Sequence, residues 1–221
     1  LIKFMRSEIV GMFEDKIHGK NAREEAVQML DRLLAHPAAL ELTNEELYRV
    51  AFLMMRRVSA KPDPFASDKK GFERDAVRVF ASGLIAQAAR VNVQDSQEVG
   101  DLLDVLTLRA TQAIFFDRQS ESARRVFGQP GFFDFDTFEQ NLAQAIQPEP
   151  GIDQRKQWKE LVLDTEEPGT FLYLVDNMEE TEIDVALWVL LTRLGHTVVV
   201  AAKSGPARGD STTDDVEEII Q

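Results

Sequence analysis

The 221-residue chain has no cysteine. That excludes disulfides, thiolate zinc sites and cysteine nucleophiles, and it fits a reducing cytoplasm. Positive charge is also scarce: 25 Lys and Arg stand against 38 Asp and Glu, giving a formal net charge of −13 and a sequence pI near 4.7. Such a surface repels nucleic acid and anionic membrane, so neither is expected as a primary partner. Histidine is limited to positions 18, 36 and 196. His196 follows Gly195 between a helical and an extended pattern, and a surface or turn role is expected for it. No apolar run reaches the roughly 18 to 20 residues of a membrane span. Acids follow within a few residues of the start, unlike a secretory signal. These absences together point to a cytoplasmic protein. Leu1 stands where an initiator Met would be, which suggests a fragment or a processed chain.

What is present falls into two patterns. Residues 1 to about 165 read as helix after helix, and are expected to form a helical domain. In "AREEAVQMLDRLLAH" (22–36), Ala26, Met29, Leu30 and Leu33 recur at helical spacing. In "LTNEELYRVAFLMMRRV" (42–58), Thr43 and Glu46 form a capping-box pattern, and Phe52, Leu53, Met54 and Met55 read as core. The prolines of "KPDPFASD" (61–68) end that helix. Amphipathic segments follow at roughly 69–92 and 95–118, then a turn at 127–133, a short helix at 136–146 and another at about 152–161. After about residue 166 the period changes. "TFLYLV" (170–175) reads as a strand buried on both faces. "EIDVALWVLLTRLG" (182–195) reads as a helix that Gly195 ends, "HTVVVAA" (196–202) as a second strand, and "STTDDVEEII" (211–220) as the start of a further helix. Strand, helix, strand, helix is a βαβ pattern with a parallel sheet. The fold class expected is α/β: an all-helical N-terminal part, then residues 166–221 as the start of a Rossmann-like, three-layer parallel-sheet domain. Two strands do not make a stable sheet alone, so the C-terminus is expected to be truncated or a partner to complete the sheet.

The two strands carry the chemistry. In open α/β sheets ligands bind beyond the carboxyl ends of the strands. Asp176 and Asn177 stand at one such end, with Lys203 and then Asp210 past the other. Carboxylate and carboxamide oxygens suit a hard divalent cation. A cation and a lysine together would let an acidic protein accept a phosphate. The structural reading of the same residues is a helix cap or turn at Asp176, Asn177 or Asp210, a solvated strand end at Lys203, and acids at Glu180, Glu182 and Asp184 facing the positive end of a helix.

"LYLVDNMEETEID" followed by "GHTVVVAAKSGPARGDST" resembles the metal-site region of the damage-control phosphatase family, which has the acidic residue methyltransferase-like domain once listed as a domain of unknown function. The matching positions are Asp176, Asn177, Glu180 and Asp184, then Lys203, Gly205, Pro206, Asp210 and Thr212. Upstream, Asp63, Pro64, Phe65 and Lys69 resemble the family's Asp-Pro-aromatic turn with its lysine. The resemblance spans roughly residues 40–215. It implies a metal-dependent phosphoric monoester hydrolase acting on small phosphometabolites, such as sugar phosphates or phosphorylated cofactor precursors. Asp176, Asn177 and Asp210 would hold Mn²⁺, Mg²⁺, Co²⁺ or Ni²⁺. Asp176 and Lys203 would be catalytic, and Lys203, Glu180 and Thr212 would meet the substrate or its phosphate. The chain departs from the pattern at Met178 and Glu179, at Gly209, and in "QAIFFD" (112–117), which lacks the family's Gly-Asn.

Two other function classes compete. One is a non-catalytic or degenerate metal- and phosphate-binding module. The other is an S-adenosylmethionine-dependent carboxyl methyltransferase, which needs a glycine-rich turn after its first strand; "VDNMEETE" has none. "FFDFDTF" (132–138) loosely matches the nucleophile signature of haloacid dehalogenase phosphatases. It lacks the apolar strand that chemistry needs, and Asp136 or Thr137 reads better as a helix cap.

Overall fold

A computed structural model describes residues 2–66, 69, 72–113, 154–163, 167–205 and 209–221. The turn expected at 127–133, the helix at 136–146, the "FFDFDTF" stretch and the last four residues of "QAIFFD" lie outside those residues. The chain divides into two compact units. The described residues of the first lie within 1–69, those of the second within 70–205 and 209–221.

In the first unit, α1 (Ile2–Lys16), α2 (Lys20–Leu34) and α3 (Asn44–Ser59) pack around Ile9, Phe13, Leu30, Met55 and Phe65. A 3₁₀ turn, Pro37–Leu40, links α2 to α3. The capping box that the sequence announces is formed. The Thr43 hydroxyl accepts from the Glu46 amide at 3.2 Å, and the Glu46 carboxylate accepts from the Thr43 amide at 2.7 Å. Met54 and Met55 are buried as expected, whereas Leu53 points to solvent. A helix three turns from its cap presents only a stripe to the core, and Leu53 falls outside it. After α3, the Asp63 carboxylate accepts from the Phe65 amide at 2.8 Å and pairs with buried Lys69 at 3.1 Å. Phe65 stacks edge-on against Phe52, ring centroids 5.4 Å apart.

The second unit is organised around one helix. α4 (Phe72–Arg90), α5 (Ser96–Gln112) and α6 (Arg155–Leu163) precede β1 (Thr170–Leu174), α7 (Met178–Arg193), β2 (Thr197–Ala201) and α8 (Thr213–Ile220). Twelve of the sixteen residues of α7 are buried, so this helix is enclosed on nearly every side. Ile183, Ala186, Leu187, Leu190 and Leu191 meet Val77, Leu84, Ala88 and Leu103 in the main core. Arg193 donates to the carbonyls of Ala88 and Val91 at 2.7 and 2.8 Å, closing the end of α4 with a cation where the helix dipole favours one. Gly195, at φ 92°, ends α7 in the left-handed region that a Cβ disfavours.

The strands pair in parallel, Thr170 with Thr197 through Leu174 with Ala201. The expectation of a strand covered on both faces is corrected. Phe171 and Tyr173 face the helices, but Leu172 and Leu174 are 66% and 71% exposed, and Val199 beside them is open too. A continuous apolar run reads the same whether one face or two are covered. His196 is in the expected turn but buried. Its Nδ1 accepts from the Gly169 amide at 3.0 Å, and its Nε2 lies 2.9 Å from the Val162 carbonyl. The second unit combines helices with a small parallel sheet, consistent with the α/β class, and that sheet has two strands among the described residues. No helix among these residues is long and apolar enough to cross a membrane.

Candidate functional site

Beyond the strand ends the backbone continues to pair. The Val175 amide donates to the Ala201 carbonyl at 3.1 Å. The Ser211 amide then donates to the Asp176 carbonyl at 2.6 Å, and the Met178 amide to the Gly209 carbonyl at 3.1 Å, so Asn177 and Asp210 pair as an antiparallel bridge. On the other side the Lys203 amide donates to the Ser211 carbonyl, and the Thr213 amide to the Lys203 carbonyl, each at 3.2 Å. Residues 209–212 thus lie between the end of β1 and the end of β2. Asp176, Asn177, Lys203 and Asp210 are brought to one place by main-chain hydrogen bonds.

Their side chains converge. The Lys203 ammonium bonds the Asp176 carboxylate at 3.1 Å and also the Asp210 carboxylate. Partial burial pulls the Lys203 pKa down, but the hydrogen bonds and charges of Asp210 and Asp176 outweigh it and hold the amine above its ordinary value. Asn177 takes the N-cap position of α7, yet its side chain makes no capping hydrogen bond. Its Nδ2 donates instead to the Glu180 carboxylate at 2.8 Å. A Cβ built on Gly209 would lie 3.5 Å from the Asn177 Oδ1, so that oxygen faces the loop carrying Asp210. Asp210 is no helix cap either, since Thr212 caps α8. The Thr212 hydroxyl is engaged with Asp215 in a capping box.

An open cavity of about 370 Å³ adjoins Asp176. α7 starts four residues earlier than its apolar pattern suggests, which puts Glu180 and Asp184 one turn apart inside the helix. Both line the cavity with Tyr173, Trp158 and Thr111. Burial pushes the Asp184 carboxyl up to about 7; the Tyr173 hydroxyl hydrogen bond partly opposes this and the Glu180 charge adds to it. The Tyr173 phenol is itself pushed up, by burial and by Asp184. Trp158 is fixed by its Nε1 donating to the Thr107 hydroxyl at 3.1 Å and by an edge-on contact with Phe171. Tyr173, Trp158, Thr107 and Thr111 were not marked by the sequence. Tyr173 was legible only as one member of a continuous apolar run, and Trp158 meets Thr107 across 51 residues of sequence.

The donor set is chemically suited to a hard divalent cation. Two carboxylates already share one positive group, and the carboxamide oxygen beside them has its NH₂ turned elsewhere. Among the described residues no three His, Cys, Asp or Glu side chains cluster to hold a metal. This set has two carboxylates and depends on Asn177 for its third oxygen. The departures at Met178 and Glu179 are both buried at the start of α7. Asp63, Phe65 and Lys69 form the turn described above in the first unit.

A family model described as the damage-control phosphatase ARMT1-like domain matches residues 8–221. The chain belongs to that family. A solved DUF89 family protein from Pyrococcus horikoshii is similar in fold, with a TM-score of 0.58 at 18% identity over 99% of this chain and 68% of the other. No curated protein matches. Membership places the chain among damage-control phosphatases at the level of the family.

Proposed function

We propose that the site at the ends of β1 and β2 hydrolyses phosphate monoesters of small metabolites, with a divalent cation held by Asp176, Asn177 and Asp210. The observation that supports this most is the convergence of Lys203 on both Asp176 and Asp210, across a main-chain bridge between Asn177 and Asp210. Mn²⁺, Mg²⁺, Co²⁺ and Ni²⁺ all suit such oxygen donors. When bound, the cation supplies Lewis-acid polarisation of a phosphoryl oxygen and lowers the pKa of water. The chain's own residues do the rest. Lys203 holds a phosphoryl oxygen and offsets charge that spreads over the equatorial oxygens. Glu180 fixes the Asn177 carboxamide through its NH₂ group, and the Thr212 capping box holds the end of the loop against α8. The neighbouring cavity, with Trp158 and Tyr173 on its wall, takes the organic part of the ester. In this reading residues 166–221 belong to a Rossmann-like catalytic domain, the helical part precedes them, and the cysteine-free chain works in the cytoplasm.

The test is turnover of a panel of small phosphate esters, with and without each metal. Wild type is expected to hydrolyse at least one ester only when metal is added. Asp176→Ala and Asp210→Ala are expected to lose more than about 100-fold in kcat/KM, beyond what outer partners of a metal cost. Lys203→Ala is expected to weaken a phosphate analogue such as vanadate more than it weakens Mn²⁺. Metal binding with no turnover of any ester would favour a binding module instead, and turnover unaffected by Asp176→Ala would end the assignment.

A further inference from the structure

Thr181 and Ser211 are both fully buried, and neither belongs to the ligand set proposed above. Their hydroxyl oxygens lie 2.7 Å apart. Thr181 Oγ1 is also 2.8 Å from the Asn177 carbonyl, and Ser211 Oγ is 3.8 Å from the Met178 sulfur. Two hydroxyl protons are available for these contacts. In one arrangement Ser211 donates to Thr181 and Thr181 donates to the Asn177 carbonyl. In the other Thr181 donates to Ser211 and Ser211 donates to the thioether. A thioether is a weak acceptor and a carbonyl a strong one, so the first arrangement holds. The hydroxyls then form a directed chain from the residue after Asp210 to the peptide of Asn177.

The chain runs parallel to the main-chain pairing but is anchored differently. The hydrogen bonds from the Met178 amide to the Gly209 carbonyl and from the Ser211 amide to the Asp176 carbonyl set the two loops side by side. The hydroxyl chain ties the 211 end to the first turn of α7, the most enclosed helix of the unit. The contact between the two hydroxyls is buried, so removing either one leaves the other without that partner, while the Asn177 carbonyl keeps its bond from the Thr181 amide.

We infer that Ser211 and Thr181 are positioning residues that set the separation of Asn177 and Asp210, and so tune how tightly the pair grips a divalent cation. The inference rests on the proposed metal reading. Outer hydrogen-bond partners of metal ligands are worth about 10- to 100-fold in affinity.

The experiment is calorimetric titration of the metal-stripped full chain with Mn²⁺, alongside melting in EDTA. Ser211→Ala and Thr181→Val are expected to bind Mn²⁺ about 10- to 100-fold more weakly, and the double variant no more weakly than the worse single, since the two act as one unit. Thr181→Ser keeps the hydroxyl and is expected to stay within about threefold of wild type. A merely structural role would lower the melting temperature in EDTA while leaving Mn²⁺ affinity intact, and that result overturns the inference. So does Thr181→Ser binding as weakly as Thr181→Val, a comparison that stands even if Ser211→Ala does not fold. Asp176→Ala separates the two readings. If wild type binds Mn²⁺ no better than Asp176→Ala, the metal site itself is wrong. If Asp176→Ala loses Mn²⁺ while Ser211→Ala and Thr181→Val keep it, only the positioning role is lost.

Discussion

Asp184 is a carboxyl that folding makes hard to ionise. Its pKa near 7, against an ordinary 3.8, comes from burial first, with the Glu180 charge adding and the Tyr173 hydroxyl opposing. The sign follows from proton counting. Between about pH 4 and 7 the folded chain holds a proton that the unfolded chain has released, so stability falls as pH rises through that window and levels above it. The upper bound is roughly 4 kcal/mol, from about three units at 1.36 kcal/mol each. Asp184→Asn is expected to flatten this stretch and to be more stable than wild type at pH 8 but not at pH 4, as read from urea midpoints across pH. Asp176 and Glu180 share the cavity with Asp184, so the comparison is made without added metal. The sequence marked Asp184 as one acid among several near a helix start and as a position that resembles the family pattern, but not as a buried one. Its burial depends on where α7 begins and on Tyr173 beside it, neither of which its immediate neighbours specify. His196 is the same case: a lone residue in a turn has no periodicity, and its burial between Val162 and Gly169 is purely tertiary.

At the scale of elements, stop and start signals were the most legible. Thr43 with Glu46, and Gly195 after α7, act as their local chemistry requires. Gly195→Ala tests the second. An added Cβ would meet Pro168 only at an ordinary 3.6 Å, so the cost is the backbone's alone. At φ 92° that is about 1 kcal/mol or more, a fall of roughly 2–4 °C in melting temperature for a chain of this size. Thr212→Ala removes a capping box from α8 and is expected to cost about 1 kcal/mol, seen by thermal melting in EDTA. The parallel pairing of the strands was also legible, because the change from helical to β-branched runs is abrupt. The coverage of the sheet was not. Leu172 and Leu174 are indistinguishable in sequence from Phe171 and Tyr173, since apolar residues occupy both alternate sets.

For the molecule as a whole, a charge of −13 works against any anionic ligand and in favour of cations. Saturating a divalent site adds stability by mass action, about 2.7 kcal/mol at a hundred times Kd. Mn²⁺ is therefore expected to raise the melting temperature by roughly 5–10 °C, reversibly with EDTA. Neither Asp176→Ala nor Asp210→Ala should show the shift. The meeting of residues 176 and 210 was foreseeable from the rule that parallel neighbours bring their carboxyl-end loops together. The strand-like bridge that sets Asn177 and Asp210 side by side was not, because it is made by residues outside either strand.

The Lys203 amine is now held by two carboxylates at once. A dication seated between those carboxylates would take over their negative charge and set the amine free for an incoming oxyanion. The two ligands should then cooperate, each raising the other's affinity by one common factor whichever is added first. Replacing Lys203 with methionine should reduce that factor toward one.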